Sequence, residues 1–242
     1  MPVSIAESTS PKQPSVNSLV ELIGVSRIYQ AGYVHALEHV SLVVRRGEFL
    51  VVVGPSGSGK TTLLNLMSGL DTPTVGTVLF KGVAPERPSD WSRLRATEIG
   101  FVFQSFQLLP AFTAIENVQL PMFSIKRDPR ERAAYARTLL EKVGLASKLF
   151  RKPDELSSGE KQRVAIARSL ANEPSILMAD EPTGNLDSKN ASAVMDLLAD
   201  LTKTQGLTLV VVTHNPSVAQ NADRAVEFLD GRIAFIAERN SL

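Results

Sequence analysis

Cysteine is absent from this 242-residue chain. That excludes disulfides and thiolate metal sites, and it agrees with a cytosolic location. An excess of either charge is missing too. Twenty-six Lys and Arg against 25 Asp and Glu leave a formal net charge of +1, so no phosphate-backbone partner and no nucleic acid is expected. Long apolar runs are lacking: stretches such as Thr208 to Val212 fall far short of the ~18 residues that a spanning helix needs. Met1 to Ser18 is polar, rich in Ser and Pro, and has no apolar stretch of the secretory-signal kind. We expect residues 1–18 to form a disordered tail. The remainder, 19–242, is long enough and apolar enough, at 43% hydrophobic residues, to bury a full core as one domain with a smaller unit inserted.

What is present is concentrated in a few segments. Phe49-Leu50-Val51-Val52-Val53 runs directly into Gly54-Pro55-Ser56-Gly57-Ser58-Gly59-Lys60-Thr61-Thr62, and an apolar helical pattern follows through Leu63, Leu64, Leu66 and Met67. Strand, glycine-rich loop and helix in this order make a phosphate cradle. The glycines let backbone N–H groups turn inward, and the helix N-terminus adds positive potential. Lys60 is spaced to reach the β- and γ-phosphates, and the Thr61 hydroxyl to hold Mg²⁺. The motif predicts binding of a nucleoside triphosphate.

Around it, Leu19–Val25, Ala36–Val44 and Thr77–Phe80 read as strands, with Gly47 marking the turn into the strand before the loop. Ile99-Gly100-Phe101-Val102-Phe103, Ile176–Ala179 and Leu209–Val212 read as buried strands suited to a parallel sheet. Residues 130–143 switch to helical period, with Ala136, Leu139, Leu140 and Val143 on one face, and a second helix covers Val164–Leu170. Alternating strands and helices predict a parallel α/β sheet with its ligand at the carboxyl ends of the strands. The helical stretch between Gln104 and Arg168 interrupts the alternation and is the expected insertion.

A second site lies at Ile176-Leu177-Met178-Ala179-Asp180-Glu181-Pro182. A buried strand ending in two acids puts both where the phosphate loop opens. One carboxylate, Asp180, suits Mg²⁺, and Glu181 suits the polarisation of an attacking water. Further along the chain, Leu156-Ser157-Ser158-Gly159-Glu160 resembles the Leu-Ser-Gly-Gly-Gln signature of ATP-binding-cassette (ABC) ATPases. The other parts match in order: Gln104 after an apolar strand, Gly184-Asn185-Leu186-Asp187 past the acidic pair, and His214 after Leu209-Val210-Val211-Val212-Thr213. The resemblance covers about residues 19–235. Gly100 to Gln104, Glu116-Asn117-Val118 and Ala179 to Asp187 look like the lipoprotein-release and macrolide-export branch, to which a cell-division cassette is close.

The resemblance implies a P-loop NTPase fold of the ABC type: a parallel sheet core, an N-terminal antiparallel β subdomain, and an α-helical subdomain inserted at about 105–165. It implies an Mg²⁺-dependent ATPase at the cytoplasmic face of the membrane, working as a head-to-tail homodimer on a separate transmembrane subunit. The implied roles are adenine stacking for Tyr29, Mg²⁺ or water contact for Gln104, a γ-phosphate switch for His214, and nucleotide contact for Asp187. Ser157, Gly159 and Glu160 would meet the nucleotide of the partner cassette. Read from the residues alone, Ser157 and Glu160 form a helix capping box whose exposed N–H groups make an anion site. Tyr29 equally suits core packing, and His35 and His39 match no family position.

Ser158 stands where the family usually has glycine. If its backbone needs positive φ, the serine is strained; otherwise its hydroxyl is a candidate phosphate donor. Leu108, Leu109, Pro110, Phe112, Leu120, Pro121, Met122 and Phe123 form an apolar run, part core and part docking surface for a membrane subunit. Two alternatives remain at this level. One is a cassette that controls an extracytoplasmic enzyme through a membrane partner without transport. The other is a DNA- or ribosome-associated ATPase, which the near-neutral charge disfavours.

Overall fold

The computed structural model describes residues 17–29, 33–125 and 128–238. In chain order its strands are β1 (Ser18–Tyr29), β2 (Val34–Arg45), β3 (Phe49–Val53), β4 (Val75–Phe80), β5 (Ile99–Val102), β6 (Ile176–Asp180), β7 (Thr208–Thr213), β8 (Arg224–Leu229) and β9 (Arg232–Glu238). The helices are α1 (Lys60–Met67), α2 (Pro88–Thr97), α3 (Ala114–Gln119), α4 (Pro129–Lys142), α5 (Ser158–Ser169) and α6 (Ser188–Gln205). β1 already begins at Ser18, inside the segment expected to be disordered, and the Asn17 carbonyl accepts from Arg46 N–H at 3.0 Å. The rest of that segment, residues 1–16, lies outside the described residues.

The strands divide into two sheets because their apolar patterns differ. β1, β2 and β4 pair antiparallel in the order β2-β1-β4, with apolar residues facing inward and polar ones outward along much of their length. The other six follow the order β5-β6-β7-β3-β8-β9, parallel from β5 to β8. Central strands buried on both faces read as unbroken apolar runs. In β3, Phe49 and Val51 face one core, while Leu50 and Val52 face the other. The first core holds the inserted helices, α5 and α6; the second holds α1 and the antiparallel sheet. The sheet departs from all-parallel expectation at one edge, where β8 and β9 form an antiparallel hairpin.

The insertion follows β5 and contains α3, a 3₁₀ turn at Leu120–Ile125, α4, two shorter 3₁₀ turns and the start of α5. Ala114, Val118, Met122, Ala136, Leu140 and Leu156 pack in one cluster continuous with Leu177, Ala179 and Val211 of the sheet. It therefore shares the core of the sheet. The apolar run after Gln104 splits as its chemistry suggested. Met122 is fully buried and Leu108 packs on the core, whereas Leu109 (44%), Phe112 (37%) and Phe123 (58%) are exposed. The Arg132 guanidinium lies over the Phe123 ring at 4.1 Å.

Asn117 shapes the Leu109–Thr113 loop. It is wholly buried and uses its amide as a template. Its Oδ1 accepts from Leu109 N–H at 2.8 Å, and its Nδ2 faces the carbonyls of Leu109, Phe112 and Thr113 at 3.0–3.2 Å. Asn117→Ala should lower unfolding stability by about 1–3 kcal/mol, the scale of orphaning buried backbone groups. Chemical denaturation checks it, and an unchanged midpoint would remove Asn117 from this role.

Candidate active site

Register in the parallel sheet determines which strand ends meet. Val53 of β3 pairs with Thr213 of β7, Val212 with Asp180 of β6, and Ala179 with Val102 of β5. The residues that leave β3, β7 and β6 next are Gly54, His214 and Glu181, and Gln104 follows β5 after Phe103. Four of the sequence-predicted segments thus emerge along one edge of the sheet.

The phosphate loop leaves β3 under close steric control. A Cβ on Gly54 would collide with the Phe228 carbonyl, and one on Gly59, at φ +102, with the Ala36 carbonyl. Gly59 is also the N-cap of α1, with no side chain to occupy the first-turn N–H groups. These donors and the dipole make an anion seat among Pro55, Ser56, Gly57 and Ser58. Lys60 is buried, and its Nζ donates to the carbonyls of Gly54 (2.9 Å) and Pro55 (2.7 Å). Burial pushes the Lys60 ammonium below its ordinary pKa, while Glu181 and Asp180 pull it back up. A triphosphate would present the anionic acceptors this ammonium lacks. Thr62, next along α1, is half-buried.

The two acids are held by different elements. Asp180 Oδ1 accepts from Thr61 Oγ1 of α1 at 3.1 Å. Burial raises the Asp180 pKa, with the Glu181 charge adding to it and the Thr61 hydrogen bond opposing. Glu181 is bound to β7. Its N–H donates to Val212 O at 2.9 Å, Oε2 accepts from Thr213 Oγ1 at 3.0 Å, and Oε1 accepts from His214 N–H at 2.9 Å. His214 Nδ1 also lies 2.9 Å from Oε1. Since a carboxylate only accepts, that ring nitrogen carries the hydrogen. Glu181 adopts φ +46, a left-handed conformation uncommon for glutamate. A cavity of about 410 Å³ beside it is lined by His214, Thr183 and Asn215 among others.

The donors fit Mg²⁺. They are a threonine hydroxyl, one half-buried carboxylate and a glutamine amide oxygen, all hard oxygen ligands. Mg²⁺ usually takes one or two protein carboxylates and completes its shell with phosphate and water. Gln104 sits against the loop after the acids. Its carbonyl accepts from Asn185 Nδ2 at 2.8 Å, and a Cβ on Gly184 would stand 2.9 Å from its Nε2.

The capping box at the start of α5 is present. Ser157 Oγ accepts from Glu160 N–H at 3.3 Å, and Glu160 Oε2 accepts from Ser157 N–H at 2.8 Å. The latter bond chiefly holds the Glu160 carboxyl below its usual range. Gly159 is buried, and a Cβ there would stand 2.6 Å from Asn190 Oδ1. Asp187 caps α6, accepting from Asn190 N–H at 2.9 Å and Asn190 Nδ2 at 2.6 Å. Loop 184–187 and the start of α5 therefore pack together through Asn190.

A family model described as "ABC transporter" matches residues 37–184. This chain belongs to the ABC transporter family. The cassette is 46% identical, over 228 residues, to a Thermotoga maritima protein named as an uncharacterized ABC transporter ATP-binding protein, covering 93% of this chain and 97% of that one. A second relative is the Bacillus subtilis ABC transporter ATP-binding protein YvrO, 45% identical over 219 residues, 89% of this chain and 95% of that one. Among solved structures, the dimeric ABC transporter cassette MJ0796 superposes with a TM-score of 0.85 at 40% identity, covering 91% of this chain and 99% of that one. A dimeric post-hydrolysis state of the same cassette, bound to ADP and Pi, matches equally. The cassette is an ATPase of the P-loop NTPase fold.

Of the two alternatives at Ser158 in this ABC cassette, backbone strain falls. Ser158 is the first residue of α5, its φ is not positive, and its side chain is exposed. No backbone strain exists there to relieve. Tyr29 donates its hydroxyl to Asp71 Oδ2 at 2.8 Å, and the Arg27 guanidinium lies 4.7 Å from the ring centroid while pairing with Asp71. Several contacts escaped the sequence reading. The guanidinium of Arg168, near the end of α5, donates to the carbonyls of Phe106 and Gln107, both left-handed at φ 59 and 48. Gln162 Nε2 donates to Pro182 O at 2.7 Å. Only the apolar neighbours of these polar residues were legible locally.

Ser158→Gly should therefore bring no gain in ATP-driven dimerisation from relief of strain. Dimer affinity with ATP, measured in a Glu181→Gln background, tests this; tighter dimers would restore the strain account.

Proposed function

We propose that this cassette hydrolyses ATP to power a separate membrane protein, as a head-to-tail homodimer at the cytoplasmic face of the membrane. The work is export, lipoprotein release or mechanotransmission, as in the branch its motifs resemble. The observation that carries the reading is the single row formed by the phosphate loop, Asp180-Glu181, Gln104 and His214 at the strand ends. The dimer is supported by the dimeric structures of the similar cassette MJ0796.

In this reading the loop N–H groups and Lys60 hold the β- and γ-phosphates, and Tyr29 offers the adenine a ring backed by Arg27. Thr61, Asp180 and Gln104 would hold Mg²⁺, which supplies charge neutralisation on the phosphates when bound. Glu181 orients a water whose oxygen attacks the γ-phosphorus as the bond to the β–γ bridging oxygen breaks. ADP leaves with that electron pair, and the water's proton passes to Glu181. His214 senses the γ-phosphate. Ser157, Gly159 through its backbone, and Glu160 close on the partner's nucleotide across the interface, and Asp187 lies beside them through Asn190.

Leu109 and Phe112 are the surface offered to the membrane subunit. They stand exposed on the loop that Asn117 shapes. Among the described residues no helix is long and apolar enough to cross a membrane.

Glu181→Gln should bind ATP and accumulate as a dimer while hydrolysis falls by about 10²-fold or more. Lys60→Ala should instead weaken nucleotide binding itself by about 1.5–3 kcal/mol, the scale of a charge-assisted hydrogen bond. Steady-state turnover and equilibrium ATP binding separate the two, and wild-type turnover in Glu181→Gln would remove it from the mechanism. A second experiment addresses the partner. Leu109→Ser with Phe112→Ser should leave a folded, active ATPase that no longer co-purifies with membranes. Retained membrane association would place the docking surface elsewhere.

A further inference from the structure

Glu181 carries the chemistry in the reading above, yet its carboxylate must be aimed by something. The terminal torsion of a glutamate is broad and close to two-fold, so burial alone leaves the carboxylate plane loosely defined. Glu181 is already unusual at the backbone, at φ +46, and its N–H is fastened to Val212 O. The side chain is fastened to the same strand, and the residue that does so is Thr213.

Thr213 is 1% exposed, at the last position of β7. Its hydroxyl has two partners. Oγ1 accepts from Asn215 N–H at 3.1 Å and lies 3.0 Å from Glu181 Oε2. The Asn215 N–H occupies the acceptor side of the hydroxyl, so its hydrogen must point at the carboxylate. A carboxylate offers about four lone-pair positions. On Oε1, two are taken by His214 N–H and Nδ1; on Oε2, one is taken by Thr213. One position on Oε2 remains for a water.

We propose that Thr213 is a positioning residue for ATP hydrolysis, its hydroxyl fixing the Glu181 carboxylate so that Oε2 accepts the proton of the attacking water. This rests on the reading of Glu181 as the water-activating group. Thr213 orients the acceptor without touching nucleotide, so its removal acts on turnover and spares binding. The tie survives movement of the His214 ring, because Thr213 holds the other oxygen from a buried strand.

The test uses the full-length protein with Mg-ATP and compares Thr213→Val, Thr213→Ser and Glu181→Gln with the wild type, each corrected for folded fraction by circular dichroism. Thr213→Val keeps the shape of the side chain and deletes the donor. Its kcat should fall about tenfold, the effect of losing one hydrogen bond to a charged group, with KM within about twofold. Thr213→Ser restores the hydroxyl and should recover kcat to within about threefold of wild type. A Thr213→Val enzyme with kcat within about twofold of wild type, beside an inactive Glu181→Gln, overturns the role of Thr213 and leaves Glu181 in place. So does a serine variant as slow as the valine one, or a loss confined to KM. Wild-type turnover in Glu181→Gln overturns the reading on which the proposal stands. Should the valine chain not fold, Thr213→Ala makes the same deletion and the same comparisons decide.

Discussion

The pairing of β7 with both β3 and β6 is the interaction on which the rest of the molecule depends. β7 is buried along its whole length and bonds to a parallel neighbour on each side. In a parallel ladder, a register shift of one residue would turn every side chain to the opposite core. The two cores here are chemically different in shape, one filled by helices and one by α1 and the antiparallel sheet. Register is therefore fixed by packing, and with it the level at which each strand ends. The phosphate loop, the acids and His214 meet because the core permits no other alignment.

That alignment distributes control of the two adjacent acids. Asp180 answers to α1 through Thr61, and Glu181 answers to β7 through Val212, Thr213 and His214. Neighbours in sequence thus belong to two different mechanical units. The same economy appears at Asn190, which joins the Asp187 cap to the buried Gly159.

Local chemistry was legible in the sequence, and long-range chemistry was not. The phosphate loop and the Ser157–Glu160 capping box depend on spacing within a few residues, and both appear where spacing put them. The buried strands declared themselves as apolar runs. The β8–β9 hairpin did not, since its register depends on an edge that only the finished sheet provides. Helix α6 was also missed, although Val194, Met195, Leu198 and Leu201 lie on its buried side. At Ser158 the family pattern left a glycine-like backbone open as one alternative. Its position just inside the cap Ser157 gives it ordinary helical geometry. Thr213 and Arg168 gave no local signal, because what each does is defined by partners 32 and 61–62 residues away.

The Arg168 clamp makes α5 a lever. The helix is 12 residues long, about 18 Å at 1.5 Å per residue. At one end its cap Ser157 faces the dimer interface of the proposed assembly. At the other, Arg168 grips the two left-handed carbonyls of the Gln104 loop, and burial depresses its pKa. A guanidinium in that setting prefers keeping both carbonyls to losing either. A tilt imposed on residues 104–107 would act on α5 through this clamp, and Gln162 of the same helix holds Pro182 beside Glu181. In the proposed assembly, force applied to one edge of the cassette would arrive at the nucleotide of the opposite subunit without either site touching the other.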